Sequence, residues 1–150
     1  LYYDPILWND NNQMLGDTVY IQLANDQVDQ VQFIENGFVS MQSKGKLFDQ
    51  IKGKTISSYF IESEMKTMIS NKNAESLYFG KNDDDEYIGG NLAQSEQIKV
   101  YMLDKEVDRI TFIKEPEAIF TPMSMMSDGD LYLKGFTWHK ALRPKGKWDL

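Results

Sequence analysis

Apolar and polar residues alternate through Gly16–Phe33, "GDTVYIQLANDQVDQVQF". Val19, Ile21 and Leu23 are apolar, with Thr18, Tyr20 and Gln22 between them, which is the period of a half-buried strand. The polar knot Ala24–Gln27, "ANDQ", predicts a tight turn, because Asn and Asp accept left-handed backbone and bond their own main chain. Val31 and Phe33 resume the alternation, and Glu35–Gly37 closes it. The stretch predicts a β-hairpin.

The same pattern returns twice. A shift of 37 positions, Gly16 to Gly53, lays Ile56 on Val19, Phe60 on Leu23, Met65 on Val28, Met68 on Val31 and Asn73 on Asn36. A shift of 79, Val28 to Val107, lays Ile98, Val100 and Met102 on Val19, Ile21 and Leu23, and Ile110 and Phe112 on Val31 and Phe33. A unit of about 40 residues is therefore repeated, a period that belongs to solenoids and stacked arrays. Asp4–Asp10 and Gly129–Trp138 read as fragments of further copies at the two ends. The best helix candidate, "AESLYF", is short and fits a strand, and Pro5, Pro116, Pro122 and Pro144 sit at margins where turns and edges accept them. The fold class predicted is all-β, with repeated antiparallel hairpins stacked on one another. Residues 1–138 form a single domain, and 139–150 a basic tail or linker.

A chain of 150 residues with 41% hydrophobic and 26% charged residues is globular in composition and can bury a core. The net charge of -7 argues against a nucleic-acid footprint, which needs a basic face. There is no cysteine, which excludes disulfides, thiol catalysis and thiolate metal sites. No apolar run approaches a membrane-spanning length. The opening Leu1 and the trailing "KWDL" are what an excised piece of a longer protein would show.

Catalytic and metal-binding patterns are absent. The acidic stretch Lys81–Gly90, "KNDDDEYIGG", lacks the spacing of a calcium loop and reads as a solvated hairpin tip. His139 is the only histidine, so no histidine-rich metal site can form. There is no nucleophile elbow, Walker motif or dinucleotide glycine motif. The expectation is a non-enzyme with no cofactor and no metal. Two features stand out: the methionine cluster Pro122–Met126, suited to core filling or an adaptable surface, and the basic, aromatic segment Trp138–Trp148, a solvated tail that could also meet phosphates.

The segments "LWNDNNQMLGDTVYIQL", "KGKTISSYF", "NAESLYF", "VDRITF" and "LKGFTW" resemble the OstA-like family, whose relatives are periplasmic bridge proteins of lipopolysaccharide transport and organic-solvent tolerance. The resemblance covers nearly the whole chain. It implies an open β-jellyroll, a V-shaped two-sheet trough with an apolar interior that shields the acyl chains of lipopolysaccharide. It also implies edge-to-edge joining to other envelope components or to further copies, a periplasmic location associated with the outer membrane, and a role in outer-membrane biogenesis.

On this reading the lipid groove is lined by Val19, Ile21, Leu23, Val31, Phe33, Ile56, Phe60, Ile98, Val100, Met102, Ile110 and Phe112. The cations available to a phosphorylated head group are Lys140, Arg143, Lys145 and Lys147. The same twelve apolar residues fit a closed, fully packed core equally well, since both share one alternation. That second reading is a structural β-repeat spacer that binds protein alone. A third, a β-jellyroll carbohydrate-active enzyme, would need two carboxylates across one cleft.

Overall fold

The computed structural model of the chain describes residues 5–140. Nine antiparallel strands form one sheet that does not close into a barrel: β1 (Ile6–Asn9), β2 (Asn12–Leu15), β3 (Thr18–Ala24), β4 (Gln27–Lys44), β5 (Leu47–Ile61), β6 (Glu64–Lys81), β7 (Tyr87–Leu103), β8 (Glu106–Ile113) and β9 (Glu117–Pro122). Among the described residues there is no α-helix. The order is β1-β2-β4-β5-β6-β7-β8, with β3 also on β4 and β9 also on β7.

The predicted repeat is present residue for residue. Val19 pairs with Phe33, Ile56 with Ser70, and Ile98 with Phe112, each displaced by the shift read from the sequence. Each hairpin carries a bulge at the equivalent place, Gln22/Leu23, Tyr59/Phe60 and Tyr101/Met102. The hairpin tips are two-residue turns with both residues at positive φ: Asn25–Asp26, Glu62–Ser63 and Asp104–Lys105. This backbone matches the right-handed twist of the flanking strands, which is why such turns close tight hairpins.

A second line of left-handed pairs crosses the sheet at Glu35–Asn36, Lys72–Asn73 and Lys114–Glu115. There the register breaks, between Ile34 and Gly37, Lys52 and Thr55, and Asn71 and Ala74. Each long strand is thus divided into two segments. On one side of this crease lies a wall of six strands: β3, the tip-ward parts of β4 to β7, and β8. On the other lies a wall made of β1, β2, the remaining parts of β4 to β7, and β9.

The two walls face each other across one apolar cluster. Val31, Phe33, Ile56, Met65, Met68, Ile98 and Val100 come from the first wall, and Met14, Val39, Met41, Ile51 and Ala74 from the second. The wall ends also touch: Lys105 lies 3.6 Å from Asp10, and Asn9 donates to the Ser63 carbonyl at 3.4 Å. Asn82–Glu86 is a solvated turn between β6 and β7, closed by Asn82 Oδ1 accepting from the Asp84 and Glu86 N–H groups, as expected of the acidic stretch.

Gly129–Trp138 departs from the expectation of a further repeat fragment. It holds a short 3-10 turn, Asp128–Leu131, and otherwise irregular chain laid across the outer face of the second wall. Its backbone is satisfied by two buried glutamines rather than by a ladder. Gln50 donates to the Leu131 carbonyl and accepts from the Leu133 N–H, both at 2.8 Å. Gln13 donates to the Thr137 carbonyl at 2.7 Å and accepts from the His139 N–H at 2.8 Å. Leu131 and Leu133 pack with Phe38, Leu77 and Phe79 beneath, joined by Phe136 and Met126. Three layers result, and the bonded segment reaches His139, one residue past the expected domain limit.

Candidate functional site: the apolar interior and its open ends

The twelve residues expected to line a groove are distributed along this interior from one sheet edge to the other. Val31, Phe33, Ile56, Phe60, Ile98, Val100 and Met102 are buried, with Phe33, Ile56 and Ile98 at 0% exposure. In this chain the centre of the trough is occupied by the protein's own side chains. Met65, Met68 and Met41 supply much of the filling, since unbranched thioethers fit irregular gaps. The methionines that fill the core lie outside the Pro122–Met126 cluster. Of that cluster, Met123 and Met126 pack on the outer layer and Met125 is exposed.

The remaining five lie toward the ends. Val19, Ile110 and Phe112 are half-buried against the core. Ile21 and Leu23, on β3, are 52% and 63% exposed. They share the inward face with Val19, because Ile21 pairs with the buried Val31 and Leu23 with Val28, which packs on the core. β3 has a partner on one side alone, so the interior runs out into solvent there.

The far end is built the same way. β8 and β9 are both edge strands, each paired with β7. Ala93 of β7 is buried, and alternation from its partner Ala118 puts Phe120 on the same inward face, 51% exposed. Ile110 and Phe112 stand on the opposite wall. Both ends of the trough therefore combine an unpaired edge with uncovered apolar side chains.

One side of the interior, between the hairpin tips, holds a cavity of about 640 Å³ lined by Met41, Asp49, Tyr78, Met102 and the Asp104–Glu106 turn, among others. Asp49 accepts a hydrogen bond from the Phe79 N–H at 2.9 Å. Burial pushes its carboxyl up to about 7, against the lowering effect of that bond and of Lys81, with Glu106 adding to the rise. The phenol of Tyr78 is raised as well, by its own burial first and by Asp49 second.

Of the expected head-group cations, Lys140 is exposed, and Arg143, Lys145 and Lys147 lie outside the described residues. Sequence reasoning did not single out Gln13, Gln50 or Asp49. Each is a polar residue at a position whose burial depends on what later covers it, and no local pattern signals that. Among the described residues no group of three or more His, Cys, Asp or Glu side chains is placed to hold a metal ion, and no helix is long and apolar enough to cross a membrane. A scan against protein-family models, a search of curated proteins and a search of solved structures each find no match to this chain.

Proposed function

We propose that this chain is a cell-envelope module of the OstA-like kind, which joins its neighbours edge to edge and continues an apolar interior from one module to the next. The observation that carries this reading is the state of the two ends. A stacked array needs polar caps where it stops, yet here the unpaired strand β3 presents Ile21 and Leu23, and β9 presents Phe120. An unpaired edge with open backbone groups accepts another strand. The added strand would also cover the apolar residues beside it. On this reading the module works in the periplasm, in outer-membrane biogenesis, and lipopolysaccharide acyl chains contact it where the interior is uncovered.

The test is to replace Ile21 and Leu23 with Lys together. Both side chains are exposed, so the fold survives, and two charges on an edge oppose strand addition. Light scattering should then report monomers where the unaltered chain associates, and photo-crosslinkers at Ile21 and Phe120 should capture lipopolysaccharide. Association unchanged by the double variant would refute edge joining.

A second reading is favoured by the packed centre: a spacer that binds protein alone. It expects assembly through the same edges with no lipid captured at Ile21, Phe120 or Val100. Capture at Ile21 but not at Val100 supports the first reading with lipid confined to the ends.

A further inference from the structure

One cavity lies outside the interior. It measures about 980 Å³ and lies on the outer side of the crease, between the second wall and the segment that covers it. Its size is that of a small-molecule site, commonly up to roughly 1,000 Å³. Ile6, Leu15 and Phe38 form an apolar floor, supplied by β1, β2 and β4. All three are partly or fully buried, and Phe38 is held from one side by Phe136.

Around this floor stand four lysines, Lys52, Lys54, Lys72 and Lys134, in a chain whose net charge is -7. Three carboxylates share the lining, Asp17, Glu35 and Glu75. Two face lysines, Glu35 at 3.7 Å from Lys54 and Glu75 at 3.7 Å from Lys52, while Asp17 accepts from the neutral Asn36 amide at 3.0 Å and keeps its charge, so four lysines still outnumber three carboxylates. Lys52 also donates to the Lys134 carbonyl at 2.9 Å, which fixes the covering segment at the cavity wall. Lys72 and Lys134 have no ion-pair partner among the described residues. An apolar floor beneath two uncommitted ammonium groups is complementary to a ligand with an apolar body and an anionic head.

We propose that this cavity binds an anionic amphiphile of the alkyl phosphate class, with its chain on Ile6, Leu15 and Phe38 and its head group between Lys72 and Lys134. This site is separate from the interior and from the sheet edges, so it stands whether or not modules join or lipid enters the trough. The cations come from the crease and from the covering segment, so the bound head group ties the two together.

The experiment is calorimetric titration of the full chain with dodecyl phosphate, dodecyl maltoside and inorganic phosphate, each below any micelle concentration. Dodecyl phosphate is expected to bind one per chain, roughly tenfold more tightly than the maltoside. The variant K72Q/K134Q, altered at two exposed positions, should weaken it by roughly tenfold and flatten its salt dependence. Leu15→Gln should weaken both amphiphiles alike, with circular dichroism confirming the fold. Equal affinity for phosphate and maltoside amphiphiles would overturn the head-group assignment, as would full affinity in K72Q/K134Q. Inorganic phosphate binding as tightly as dodecyl phosphate would leave a free-anion site and remove the amphiphile. Loss of binding in I21K/L23K, with K72Q/K134Q unaffected, would move the ligand to the interior and overturn the proposal.

Discussion

At the scale of single residues, Asp49 and the core aromatics show two opposite consequences of burial. The Asp49 carboxyl is raised to about 7 by desolvation, above its unfolded value near 4. The native state therefore binds this proton more tightly than the unfolded chain, so its contribution to stability is complete below pH 4 and is lost as pH rises through 7. Asp49→Asn keeps an acceptor for the Phe79 N–H and removes the charge. It should raise the melting temperature at pH 8 by several degrees, on the order of 2–4 kcal/mol, and change little at pH 4, measured by thermal unfolding across that range. Phe33 is wholly enclosed, so Phe33→Ala should cost about 3–5 kcal/mol in urea unfolding. The burial of Phe33 was legible from alternation alone. That of Asp49 was not, because a carboxylate at an alternate position reads as solvent-facing, while its neighbours Phe48 and Gln50 face the other way.

Among the elements, the hairpins were the most legible part of the chain. Their turns, bulges and crease recur at the shifts of 37 and 79 because identical local geometry recurs with the repeat. The crease itself was not foreseen: Glu35–Gly37 read as the end of a hairpin, whereas β4 continues beyond it as one long bent strand. A left-handed pair can bend a strand as well as end one, and the local sequence is the same in both cases. Asn73, at φ 51, should tolerate Gly, while Asn73→Val should cost about 1–2 kcal/mol because a β-branched side chain resists that region. The covering segment was the least legible, since its partners are the amides of Gln13 and Gln50, more than 80 residues away. Gln50→Leu leaves the Leu131 carbonyl and Leu133 N–H without partners in a buried site. Limited proteolysis should then cut after Pro122, with roughly 2–3 kcal/mol of stability lost.

For the whole molecule, the resemblance implied a two-sheet apolar trough, and the alternation left open what fills it. Volume decides that question, and volume depends on which side chains meet across the walls. Met14, Val39 and Ile51 meet Phe33, Ile56 and Ile98, and together they occupy the centre. The ends differ because sheet edges have no partner on one side. Ile21 and Leu23 follow the alternation of the buried positions yet remain exposed. The same apolar pattern therefore marks core in the middle of the sheet and uncovered apolar surface at its margin.

The crease also makes the molecule countable. Because every hairpin bends at the same distance from its tip, the cross-section is set once per unit, and the span is set by the number of units. Residues 55–96 run from one crease to the equivalent point of the next copy, so Thr55 and Gln97 hold the same position in the pattern. A second copy of 55–96 inserted after Glu96 should widen each wall by two strands and leave the thickness unchanged, visible as growth along one axis in small-angle X-ray scattering. The same insertion made one residue longer would turn Ile98 and Val100 outward and abolish cooperative unfolding. Growth in this architecture is quantised in whole hairpins.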